Sequence, residues 1–177
     1  MRCLTPAFIY VNVTDIKSPT SPLFLREQEL NKGMELLFFA YRDFVAEPDR
    51  LLAPLGFGRA HHRLLYFVAR HPDLPVAKLL EILKITKQSL SRVLGELVRT
   101  GYVAQTKGTV DRRQRLLSLT DKGKDLERKL SSASRARVAQ AYRAAGEEAV
   151  EGFTNVMLGL MTDEDRRHLE TNGDKKS

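Results

Sequence analysis

A mainly α-helical chain with one small β-hairpin is what this sequence predicts, on three observations. Apolar residues recur at three- and four-residue steps over most of its 177 residues. One stretch, Tyr102 to Leu119, breaks that rhythm with two short β-prone runs around a turn rich in Gly and charge. The formal net charge of +7 is concentrated in a wider window around that stretch. Lys84 to Lys124 holds ten basic and three acidic residues, while the other 19 basic and 19 acidic residues cancel.

Residues 1–22 carry Pro6, Pro19, Pro22 and a Ser/Thr cluster, and read as a flexible tail or a start-site extension. Leu23 to Val45 is the first long helix, with Leu30, Met34, Leu37, Phe38 and Tyr41 at helical spacing and Phe39 and Phe44 widening the face. That is more aromatic surface than one small core needs, which implies a partner. Pro48 and Pro54 bracket an irregular link, and Leu55 to Gly58 is a turn. Arg59 to His71 is the second helix, stopped by Pro72. Val76 to Leu83 is a short third helix, with Val76, Leu79, Leu80 and Leu83 on one face.

A break at Lys84–Ile85 leads to a helix that Thr86 caps through its hydroxyl. Leu90, Val93, Leu94 and Leu97 form its buried face, and Gln88, Ser89, Ser91 and Arg92 lie off it. Gly101 supplies a left-handed stop and Tyr102 the apolar clasp. Two helices joined by so short a link, the second with a polar start, read as helix-turn-helix. Tyr102–Thr106 and Gln114–Leu119 form the hairpin, with Asp111, Arg112 and Arg113 at its tip. Thr120 caps a long charged helix through Leu126, Leu130, Ala133, Val138, Ala141 and Tyr142, which Gly146 interrupts. Glu147 to Met161 resumes it, Thr162 to Asp165 opens a further turn or two, and Thr171 to Ser177 fray.

Localised positive charge beside a short polar helix face is a footprint for phosphates. Other classes lack their signatures. There is no GxGxxG, GKS or GKT loop, no HExxH and no nucleophile motif, so an enzyme is not expected. No cofactor is expected either. No apolar run approaches the roughly 20 residues of a membrane span, and one cysteine excludes an internal disulfide framework. A cytoplasmic protein is therefore expected. His61 and His62 are neighbours and diverge by about 100° on a helix, so no metal site is expected. Cys3 has no basic partner fixed beside it to favour a thiolate.

Three runs resemble the MarR family of winged helix-turn-helix transcription regulators: LAPLGFGRAHHRLLYFVARHP (Leu52 to Pro72), LLEILKITKQSLSRVLGELVRTGYV and DRRQRLLSLTDKGKDL. The phrase LGFGRAHHR is also similar to the PetP-like branch of that family. The resemblance spans about residues 24–170. It implies a winged helix-turn-helix reading head at 59–119, with dimerisation helices at 23–45 and 120–170, within one domain of 23–170 flanked by tails 1–22 and 171–177. The function implied is a sequence-specific regulator binding double-stranded DNA as a homodimer on an inverted repeat. Repression is its expected mode, on the resemblance rather than on any residue. The rival is a winged-helix module for protein or RNA contacts alone.

Side-chain chemistry assigns roles within that frame. Gln88 suits an adenine edge and Arg92 a guanine. Ser89 and Ser91 reach base or phosphate, and Thr86 and Lys87 hold phosphate near the positive helix end. Lys107 and Arg115 flank the tip, Arg115 facing phosphate or solvent. The resemblance implies that Arg112 or Arg113 enters the minor groove with Asp111 as the steadying acid. Plainer readings stand beside these: an Arg92–Glu96 ion pair, Gln88 and Ser89 as an exposed helix start, and Asp111 as a turn residue. The resemblance further implies an effector, commonly an aromatic acid. Phe38, Tyr41, His61, His62, Leu65 and Tyr66 are the candidate lining, against the alternative that they are core and interface packing.

Overall fold

The computed structural model describes residues 23–109 and 111–173. Cys3 and the two tails as far as residue 22 and from residue 174 lie outside them. The chain divides into two units, residues 1–44 and 45–177.

In the first unit, a short 3-10 turn at Leu23–Leu25 precedes α1, Glu27–Leu52, whose first turn carries Glu27 and Glu29 where acids suit the helix dipole. Met34, Leu36, Leu37, Phe38, Phe39 and Tyr41 are all exposed, Phe38 by 73%.

α1 does not stop at Val45 as its sequence suggests. It runs through Pro48 to Leu52. Proline removes one helical hydrogen bond and crowds the preceding turn. Here Val45, Pro48 and Leu52 are all buried, and this burial offsets that cost.

The second unit continues with α2 (Arg59–Arg70), β1 (Leu74–Pro75), α3 (Val76–Leu83), α4 (Lys87–Arg99), β2 (Val103–Lys107), β3 (Arg115–Leu119), α5 (Asp121–Ala145), α6 (Glu147–Leu160) and α7 (Asp163–Gly173). The winged helix-turn-helix arrangement is as the sequence predicts. The sheet adds a strand the sequence did not announce. β3 is central, antiparallel to β2 on one side and to β1 on the other, with Val103 opposite Leu119 and Leu74 opposite Leu117. β1 is two residues long and contains a proline, which an edge strand tolerates. α7 is likewise longer than the turn or two expected.

One core serves helices and wing together. Leu64, Leu65, Leu79, Leu90, Leu97, Leu117 and Leu130 are almost wholly buried in it, with Phe57, Tyr102 and Leu126 beside them. α5 is buried only at its start. Leu126 and Leu130 are in the core, whereas Ala141 and Tyr142 are exposed. Phe153, Val156 and Leu160 of α6 are exposed as well. Among the described residues no helix is long and apolar enough to cross a membrane.

Gly123, in the first turn of α5, is needed for close approach. A Cβ there would stand 2.0 Å from the Tyr102 carbonyl oxygen. Gly123→Ala is expected to lower stability by roughly 2 kcal/mol or more, since backbone must shift. Gly95 is helical and open on all sides, and Gly95→Ala is expected to raise stability by about 0.5–1 kcal/mol. Urea unfolding midpoints check both, and equal midpoints for the two variants would contradict the packing described.

Candidate nucleic-acid interface

Helix α4 is built to present its first turns to solvent. Thr86 caps it, its hydroxyl oxygen accepting the Ser89 N–H at 3.2 Å and its O–H directed to Ser89 Oγ at 2.9 Å. Leu90, Val93, Leu94 and Leu97 anchor the opposite face in the core. Thr86, Lys87, Gln88, Ser89, Ser91 and Arg92 are all exposed. The turn before it is set by Lys84, which adopts a left-handed backbone (φ 50°) at the end of α3.

The far end of α4 is closed by backbone bonds. Gly101, at φ 77°, donates its N–H to the Val98 carbonyl at 3.1 Å, and Tyr102 donates to the Leu97 carbonyl at 2.9 Å. This is the paired C-terminal bonding that a left-handed glycine permits. It turns the chain directly into β2.

The wing is held by its own polar groups. Gly108 donates its N–H to the Gln114 carbonyl and Gln114 to the Asp111 carbonyl, both at 3.1 Å. Asp111 Oδ1 accepts the Arg113 backbone N–H at 2.9 Å. Asp111 therefore steadies the tip through backbone, leaving the Arg112 and Arg113 side chains outward. Lys107 and Arg115 lie directly opposite each other in the ladder, both exposed. Like charges so placed repel, and an anion between them would remove that cost.

The ion pairs of the basic window show where charge remains available. Lys84 meets Glu164 at 3.3 Å and Asp165 at 3.0 Å, and Lys124 meets Asp121 at 3.0 Å. Arg92 meets Glu96 at 3.8 Å. Lys84 is shifted up by its hydrogen bond to Asp165, and Asp165 is shifted down by the same bond. Among the described residues, Lys87, Lys107, Arg112, Arg113 and Arg115 have no carboxylate partner. Lys87 lies at the start of α4 and the other four on the wing; Arg99, at the far end of α4, also lacks a carboxylate among the described residues, and Lys122 bonds the Thr100 carbonyl instead.

The other candidate residues divide. Phe38 and Tyr41 are exposed on α1, in the first unit. In the second unit Leu65 is fully buried core, and His61 is buried between a backbone N–H and Glu96. His62 is half-buried. Burial lowers its pKa below the ordinary 6.5, against the pull of Asp49 and Glu127. Tyr66 lies under the Arg70 guanidinium, 3.3 Å from ring centroid to Cζ, and Arg70 also meets Glu127 at 3.2 Å. Among the described residues no group of three or more His, Cys, Asp or Glu is placed to hold a metal ion.

A capped helix with an exposed polar start, set behind a short turn and beside a basic hairpin on one shared core, defines a winged helix-turn-helix protein. The MarR family model matches residues 55–114. The chain is 50% identical over 148 residues to the HTH-type transcriptional regulator PetP of Rhodobacter capsulatus, covering 84% of this chain and 89% of that protein. The chain belongs to the MarR family of transcription regulators. Its fold is similar to Streptococcus pneumoniae FabT, solved in complex with DNA (TM-score 0.67, 21% identity, 74% of this chain and 96% of that one). It is also similar to a Mycobacterium tuberculosis MarR family protein solved with p-aminosalicylic acid (TM-score 0.51, 23% identity, 71% and 95%).

A pH dependence follows from His62. Its folded pKa lies below its unfolded one, so the folded state takes up a proton less readily. The stability of the His62 protein is complete above about pH 6.5 and is lost as pH falls through that value toward the folded pKa. His62→Gln should remove this loss. Urea midpoints of the two proteins are expected to diverge from pH 6.5 to 5, the variant falling less, and parallel curves would rule the mechanism out.

Proposed function

We propose that this protein is a homodimeric, sequence-specific regulator that reads an inverted-repeat operator and answers to a small effector. The observation that carries the DNA reading is the set of exposed, uncompensated cations on two adjoining elements, the start of α4 and the wing. Gln88 and Arg92 are the base readers of α4, with Ser89 and Ser91 on base or phosphate. Thr86, Lys87, Lys107 and Arg115 hold phosphate. Arg112 and Arg113 are the minor-groove residues, on a tip held by Asp111. FabT was solved with DNA, which supports the same use of the fold here. Operation on DNA places the protein in the cytoplasm, with repression by occupancy as the simplest mode.

Two observations support pairing. Met34, Leu36, Leu37, Phe38, Phe39 and Tyr41 on α1 are exposed, and so are Phe153, Val156 and Leu160 on α6. Apolar faces of this extent are costly in water and call for a second surface. A second copy supplies one and gives two reading heads for two half-sites about 10 base pairs or a multiple apart. For the effector, the relative solved with p-aminosalicylic acid supports an aromatic acid. His62 and Tyr66, half-buried and exposed respectively, remain available on the larger unit, and Phe38 and Tyr41 on the smaller.

The test is a DNA titration with the intergenic region beside the protein's own gene, with light scattering in parallel. A dimer is expected, protecting an inverted repeat, with affinity falling steeply as salt rises. Arg92→Ala is expected to cost about 1–3 kcal/mol on the operator and relax choice at one base. Lys107→Ala should weaken operator and random DNA alike and flatten the salt slope by about one. A monomer without site-specific binding would instead favour a winged-helix module for protein or RNA contacts.

A further inference from the structure

Glu96 is shared between two elements. It lies on α4 one turn beyond Arg92, with its side chain 30% exposed. Its Oε2 is 2.7 Å from Nε2 of His61 on α2, and its Oε1 is 3.8 Å from Arg92 Nη1. His61 is itself held on every side. Its side chain is 7% exposed and its ring stacks on Phe57 at 4.6 Å between centroids. Its Nδ1 accepts the Gly58 N–H at 3.1 Å. A ring nitrogen that accepts carries no proton, so the neutral imidazole bears its proton on Nε2 and donates it to Glu96. Backbone at the start of α2 thus selects the tautomer, and a buried ring holds the carboxylate.

An exposed arginine–glutamate pair one turn apart is ordinarily loose, because both side chains swing. Here one partner is tied. We propose that His61, acting through Glu96, positions the Arg92 guanidinium for base recognition, so that specificity at one base pair depends on a histidine that does not touch DNA. The distances fit that role. At 3.8 Å the fixed charge biases the guanidinium without closing a bidentate pair, which would occupy the fork that guanine needs. The Arg92 side chain is 73% exposed, leaving its donors free for DNA. The inference rests on Arg92 being a base reader.

The test measures discrimination, the ratio of operator to random-DNA affinity at one fixed salt, in the full chain. It compares the native protein with Arg92→Ala, His61→Gln, Glu96→Gln and the His61→Gln/Arg92→Ala double variant. Gln at the third helical position keeps an acceptor for the Gly58 N–H, and its single terminal amide, folded back onto that N–H, does not donate to Glu96 at the same time. His61→Gln is expected to lower discrimination about three- to tenfold with random-DNA affinity unchanged, a fraction of what losing a guanine-reading arginine costs. In the Arg92→Ala background the same change is expected to do nothing. Glu96→Gln should lower discrimination similarly and raise random-DNA affinity, since a negative charge near phosphate is removed. Equal loss on operator and random DNA, or equal loss of discrimination in both backgrounds, would reduce His61 to a packing role. Unchanged discrimination in Arg92→Ala would sink the base-reading assignment itself. If His61→Gln fails to fold, Glu96→Ala in the two Arg92 backgrounds runs the same cycle with the same criteria.

Discussion

The end of α4 meets the beginning of α5, and the reading head depends on that junction. The last carbonyls of a helix lack partners, as do the first N–H groups of the next. Here each end satisfies the other. Thr120 donates its hydroxyl to the Gly101 carbonyl at 2.7 Å and its N–H to the Tyr102 carbonyl at 3.1 Å, while its oxygen accepts the Gly123 N–H. Lys122 donates to the Thr100 carbonyl at 2.9 Å and lies 4.2 Å from the centre of the Tyr102 ring. The negative end of one helix therefore faces both the positive end of another and a lysine. The close approach that Gly123 allows draws these groups into range. Lys122, one of the ten basic residues in the charged window, is occupied with this structural work.

Net charge is thus a coarse guide to where DNA would bind. Lys84 and Lys124 contribute to the formal total, yet carboxylates of α7 and α5 meet them. What remains without a carboxylate partner among the described residues includes Lys87 at the start of α4 and Lys107, Arg112, Arg113 and Arg115 on the wing. Lys107 and Arg115 stand face to face in the ladder, a placement that costs the hairpin a little stability unless an anion lies between them.

Much of this was legible in the sequence because its determinants are local. Thr86 and Thr120 each cap the helix that follows, and Gly101 with Tyr102 closes α4, each through a partner only a few residues away. What was not legible is settled by distant partners. Pro48 reads as a stop, and only its burial shows why α1 continues. Leu74–Pro75 becomes a strand because Leu117 and Leu116 lie beside it, some forty residues on. Asp111 reads from sequence either as an acid steadying an arginine or as a turn residue, and its bond to the Arg113 backbone N–H is the local turn contact. The candidate DNA contacts follow from side-chain chemistry and a family likeness. The structure adds which of them are exposed and uncompensated.

The two adjacent histidines carry the argument furthest. In sequence they are equivalent, and both are candidates for lining an effector pocket. One step along α2 turns a side chain by about 100°, and that rotation sends them to different tasks. His61 points into the head, toward Glu96 of α4. His62 lies half-buried in the field of Asp49, Glu127 and Arg70, residues of α1, α5 and α2. Glu127 is on the same helix whose first turn clamps the end of α4. Two neighbouring imidazoles of identical chemistry thus stand in different surroundings, one in a buried hydrogen bond to α4 and one among the mixed charges of α1, α2 and α5.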